Sequence, residues 1–290
     1  MQSIAARRKA SLQSPVLSIA SIPIHLKGRE ARLLDQLEKR YRNFLTTGPG
    51  TFEILLEPSE QESRAWEPVA VPKVSRRGQT WEFQLHQARA EFDGERQRAV
   101  LQGALSVFTF DSFLRIFLTL LLLERDGLVL HAATLRRSGS AHIFLGRSGA
   151  GKTTLSRLAP ADQVLTDEIS LLRLVQDEPR AYGSPFWGEL AGHGADVELP
   201  LQAFYLLAKD RRTFIEPLRG ADALTALCAH TLFFVPDRDS LQALLRVCAR
   251  WVEAVPVSRL HFAPDETVWE VLANEGCGAP VVAAGPAAGA

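Results

Sequence analysis

The sequence predicts an α/β protein: a mixed sheet with flanking helices, preceded by a smaller strand-rich α+β domain. Three observations carry that expectation. Short apolar runs alternate with helical periodicity from about residue 106 onward. The first hundred residues read instead as one strand, one helix and then several short strands. The composition, 46% hydrophobic and 23% charged over 290 residues, is that of an ordinary globular chain with material for a real core.

The leader opens with an extended segment carrying Leu17, Ile19 and Ile22 to Leu26. Arg29 to Phe44 follows as a helix, with Leu33, Leu34, Leu37, Tyr41 and Phe44 on one face. Gly48-Pro49-Gly50 breaks the chain before a strand over Thr51–Glu57, and Thr80–His86 alternates apolar and polar at the period of a half-buried strand. Asp111-Ser112 is the expected N-cap of an apolar helix over Phe113–Arg125, closed by Gly127. Strands over Leu128–Leu135 and Ala141–Leu145 are close enough to form a hairpin. Further strands are expected at Gln163–Thr166, Ile169–Leu174, Ala203–Leu207, Thr213–Ile215 and Ser258–Phe262, with helices at Ala221–Thr231 and Ser240–Ala254. The organisation is thus 1–105 as the strand-rich domain, 106–272 as the core and 273–290 as a disordered tail, whose last twelve residues are only Ala, Val, Gly and Pro.

The zero net charge hides an asymmetry, because residues 1–50 hold nine Lys/Arg against three acids. Such a surplus is either the solvated face of a helix or a surface that steers an acidic partner. Aromatics do not alternate with these charges, so no nucleic-acid partner is expected. No apolar run is long enough to span a bilayer, so no membrane role is expected. Cys228, Cys248 and Cys277 have no short spacing, which excludes a disulfide scaffold or zinc ribbon and suggests a reducing, cytoplasmic setting.

The chemistry lies in the core. Gly146-Arg147-Ser148-Gly149-Ala150-Gly151-Lys152-Thr153, followed by Thr154, matches G-x-x-x-x-G-K-[ST] between an apolar strand and a helix. Glycines let the backbone wrap phosphate oxygens with its N–H groups inward. Lys152 supplies charge for the β- and γ-phosphates, and Thr153 a hydroxyl for Mg²⁺. A nucleoside triphosphate is the expected ligand. Shortly beyond, the strand Val164–Thr166 runs into Asp167 and Glu168, a position suited to holding Mg²⁺ or accepting a proton from an attacking nucleophile, or simply a strand-ending acid pair. His131 lies in the strand upstream; it is either a core histidine or, if the hairpin brings it to the loop, a polar group near the γ-phosphate.

His131-Ala-Ala, the loop and Leu165-Thr-Asp-Glu168 together resemble the catalytic domain of HPr kinase/phosphorylase and related serine kinases of peptide-modification clusters, whose P-loop fold is similar to that of phosphoenolpyruvate carboxykinase. Tyr182–Glu189 and Leu260–Trp269 extend the resemblance over about residues 106–272. It implies an ATP- and Mg²⁺-dependent kinase acting on a serine-type hydroxyl of a protein or peptide. Asp167 would be the base and Lys152 the charge on the transferred group. His131 would orient the base, and Thr153, Glu168 and Glu189 would hold the metal. Two departures stand out: the carboxylate pair is Asp-Glu instead of Asp-Asp, and the glycine-rich segment that follows the pair in true HPr kinases is missing. Arg211-Arg212 is either an arginine supply for the transferred phosphate or a solvated pair. Two alternatives stay open, a nucleotide-binding regulatory module with little or no transfer and a small-molecule kinase, as does self-association into a homo-oligomer.

Overall fold

The computed structural model describes residues 14–59, 69, 71–192, 194–235 and 237–274. Among them the protein is mixed α/β, with two mixed sheets and flanking helices. No helix among the described residues is long and apolar enough to cross a membrane. Two compact units emerge, one of residues up to 18 and 22–113, the other of 19–21 and the chain from 114 on. Of the expected tail only Ala273 and Asn274 are described, as the end of a helix; the remainder, with Cys277, lies outside the described residues, as do Arg7, Arg8 and Lys9.

In the first unit an eight-stranded sheet runs in the order β3-β1-β2-β4-β8-β7-β6-β5. Its strands are β1 (Val16–Ile19), β2 (Ile22–Gly28), β3 (Leu45–Thr46), β4 (Phe52–Pro58), β5 (Lys73–Arg77), β6 (Thr80–Gln84), β7 (Ala88–Asp93) and β8 (Arg98–Gly103). The expected helix is shorter than its pattern: α1 spans Ala31–Arg40, and Tyr41 and Phe44 continue its buried stripe through a tight 3₁₀ turn. The next helix corrects the expected cap. α2 spans Val107–Leu123, so Asp111 lies inside it, and the Ser106 hydroxyl caps the start by accepting from Thr109 N at 3.1 Å. Asp111 has another task, since its carboxylate accepts hydrogen bonds from Arg40 and the Tyr41 hydroxyl. The β-branched and aromatic run Val107–Phe110 concealed the first turn, because such residues are weak helix formers without tertiary contacts. Phe110 and Phe113 are buried and supply those contacts.

The second unit is built on two long strands. β9 (Gly127–Arg137) pairs with β12 (Ile169–Val175) through its first half and with β10 (Ser140–Leu145) through its second. β14 (Glu198–Lys209) pairs with β13 (Glu178–Tyr182) at its start, then lies parallel to both β10 and β16 (Val257–Phe262). β15 (Phe214–Leu218) closes the edge, where Pro217 costs no needed ladder bond. Alternation along β10 divides the core. Ala141, Ile143 and Leu145 face α4 (Gly220–Cys228) and α5 (Arg238–Ala254), while Phe144 faces the cluster of Leu155, Tyr205, Leu260 and Phe262. β13 and the last helix, α6 (Thr267–Asn274), are absent from the sequence expectation.

One core residue makes folding pH-dependent. His142 is 8% exposed and stacks on Tyr205, with ring centroids 6.0 Å apart. Burial, with repulsion from Arg137, pushes its imidazole from 6.5 down to about 4. The unfolded chain therefore binds a proton that the native state refuses between those values. Stability contributed here is expected to be complete above about pH 6.5 and to fall by roughly 3 kcal/mol as pH drops toward 4. Unfolding of wild type and His142→Phe across that window checks it: the difference between their curves should flatten outside the window and slope within it.

Candidate functional site

β10 ends at Leu145, directly before the glycine loop, and α3 (Lys152–Leu158) begins directly after it. Gly151 has φ +109°, and a Cβ there would come within 2.6 Å of the Phe262 ring, so only glycine fits. The segment Leu260–Phe262 thus shapes the loop from beneath. Lys152 is 7% exposed, and its Nζ donates to the carbonyls of Gly146 at 2.6 Å and Arg147 at 3.4 Å. Burial pushes its pKa down while Glu168 pulls it back up.

The carboxylates are set by the strand β11 (Val164–Thr166), which pairs with β9. Thr166 is fully buried; its hydroxyl donates to Phe186 O at 2.8 Å and accepts from Glu168 N and Ile169 N. Asp167, 4% exposed, accepts from Gly188 N at 2.8 Å through one oxygen and from Leu190 N at 3.0 Å through the other. The Thr-Asp pair therefore ties the chain after Tyr182 down over the strand end. Glycine at 188 eases that approach, since a Cβ would lie 3.2 Å from an Asp167 oxygen and the carboxylate would have to shift by a few tenths of an ångström. Glu168 is partly exposed, 3.9 Å from the Arg115 guanidinium. Glu189 is exposed and paired with Arg157 at 3.0 Å.

His131 donates its backbone N–H to His230 O at 2.8 Å, and its imidazole bonds to the main chain of Glu168. Burial, then the charges of Lys152 and His230, push its pKa down, so the ring is neutral at neutral pH. His230 sits two residues past α4 with Nδ1 2.7 Å from Ala226 O, fixed as a donor, and Nε2 buried without a partner among the described residues.

A single cavity of about 320 Å³ gathers His131, Ser148, Gly149, Gly151, Lys152, Thr153, Thr154, Asp167, Glu168 and Glu189. Gly146, Arg147 and Ala150 belong to the loop but do not line it, and the exposed Arg211 and Arg212 stand outside it with their amides on Asp210. No protein-family model matches the chain, and no curated protein matches it by sequence. The chemistry of the cavity therefore rests on its own residues. Arg157, Gly188 and Lys209 also line it and are missing from the sequence expectation. Lys209 had a readable signal, as the polar end of an apolar strand; Gly188 lay within Tyr182–Glu189 without a stated role. Among the described residues no three His, Cys, Asp or Glu side chains cluster to hold a metal alone. Thr153, Glu168 and Glu189 nevertheless line the cavity together, and one hydroxyl with one or two carboxylates suits Mg²⁺ shared with phosphate oxygens.

Proposed function

We propose that the second unit is an ATP-dependent kinase core of the HPr kinase and phosphoenolpyruvate carboxykinase type, transferring the γ-phosphate to a serine-type hydroxyl of a protein or peptide. The observation that carries this reading is the meeting of Lys152, Thr153 and the amide-held Asp167 in one cavity. The loop's N–H groups and Lys152 hold the phosphates. Each Asp167 oxygen accepts one amide and keeps a second lone-pair site, so the carboxylate is oriented yet able to take a proton. The acceptor oxygen attacks the γ-phosphorus, the bond to the β–γ bridging oxygen breaks, ADP leaves, and the hydroxyl proton passes to Asp167. Thr153, Glu168 and Glu189 would hold Mg²⁺, which supplies charge neutralisation for the phosphates. His131, neutral and bonded to the Glu168 main chain, positions the acid pair without acting as a base itself.

A nucleotide-binding regulatory module is the second reading. It is favoured by one observation, that Glu168 and Glu189 already face Arg115 and Arg157. Incubation with γ-labelled ATP, Mg²⁺ and host lysate separates the readings. Label on a discrete protein or peptide is the expected result. Label confined to a small metabolite would replace the acceptor class, and nucleotide binding without any transfer would favour the module.

A further inference from the structure

We infer that Lys209 reads the γ-phosphate, distinguishing a nucleoside triphosphate from a diphosphate; this rests on the nucleotide-site reading above. β14 and β10 run parallel, and their last register pair is Leu145 with Leu206. There β10 turns into the loop, while β14 continues three residues to Lys209, roughly 10 Å at the rise of a strand. The extension tracks the loop closely: a Cβ on Gly146 would sit 3.6 Å from Leu207 Cβ. Its other edge is held by β16, with Lys209 in register with Phe262, whose ring fills the space beside Gly151. Lys209 is therefore fixed at the rim of the same cavity as Lys152, Asp167 and Glu168.

Charge accounting singles it out. Of the cations lining the cavity, Lys152 is buried and bonded to loop carbonyls, and Arg157 is paired with Glu189. Lys209 is exposed, its main chain is held by β16, and among the described residues its ammonium has no ion pair or hydrogen bond. The loop amides answer the phosphates a diphosphate carries, and Lys152 spans the β- and γ-phosphates, so a triphosphate brings charge that Lys152 alone does not match. The additional γ-phosphate extends toward Asp167, where Lys209 is the cation with no other engagement. A flexible ammonium gives such a point charge its best use.

The test compares full-length wild type, Lys209→Met and Lys209→Arg by calorimetric titration with MgADP and with a non-hydrolysable Mg-bound ATP analogue. For Lys209→Met, ADP affinity is expected within about twofold of wild type and triphosphate affinity down ten- to a hundred-fold, as fits one lost charge-assisted hydrogen bond. Lys209→Arg should restore most of the preference. Thermal unfolding confirms that each variant folds. Equal losses for both nucleotides, or no loss for either, would overturn the inference and leave the site reading standing. Wild type binding neither nucleotide would overturn the site reading and this inference together.

Discussion

Replacing Asp167 by asparagine is expected to lower phosphoryl transfer by about 10²- to 10⁴-fold, the range general-base catalysis supplies, while MgATP affinity stays within a few-fold. The geometry makes the same substitution costly for folding. Both Asp167 oxygens accept main-chain amides, from Gly188 at 2.8 Å and Leu190 at 3.0 Å. Asparagine keeps one acceptor and turns an NH₂ group toward the other amide, which leaves donor against donor in a nearly buried place. A loss of roughly 1–3 kcal/mol of stability follows. Two measurements check this, transfer of labelled phosphate and denaturant unfolding. Transfer at more than a tenth of the wild-type rate would remove Asp167 from the role of base. Unchanged stability would mean that the turn over the strand end holds without it.

Asp167 also illustrates where the sequence was legible. Its place after an apolar strand close to the glycine loop was readable because both features are local, a motif and a strand end. The hairpin of β9 and β10 was readable for the same reason, and it does bring His131 to the cavity. The amides that hold Asp167 were not readable. They come from a chain segment about twenty residues away with neither helical nor strand period, and only the packing of Gly188 against the acid reveals them. Lys209 lies two residues past the strand end expected at Leu207; the large apolar side chains stop there, and only pairing with β16 carries β14 on to the lysine. The false cap at Asp111 has a related cause, since an acid before an apolar run suits an N-cap and a half-buried partner for Arg and Tyr equally well until tertiary contacts decide.

Lys152→Met should separate binding from folding in the opposite sense to Asp167→Asn. The ammonium is nearly buried, and burial pushes its pKa down. Its partners are main-chain carbonyls, Gly146 O at 2.6 Å and Arg147 O at 3.4 Å, with Glu168 the nearby countercharge. Methionine keeps the length and the apolar stem while removing a desolvated charge, so the lost hydrogen bonds are offset by relief of the burial penalty. Net stability is expected to change by less than about 1 kcal/mol. Nucleotide binding has no such offset, because in the proposed site Lys152 is the buried cation that would hold the phosphates. Affinity for MgATP and the rate of transfer should each fall by about a hundredfold or more, a cost of roughly 3 kcal/mol. If unfolding and nucleotide titration of Lys152→Met show a large stability loss with unchanged affinity, the lysine is a brace for the loop and the phosphates are held by the amides alone.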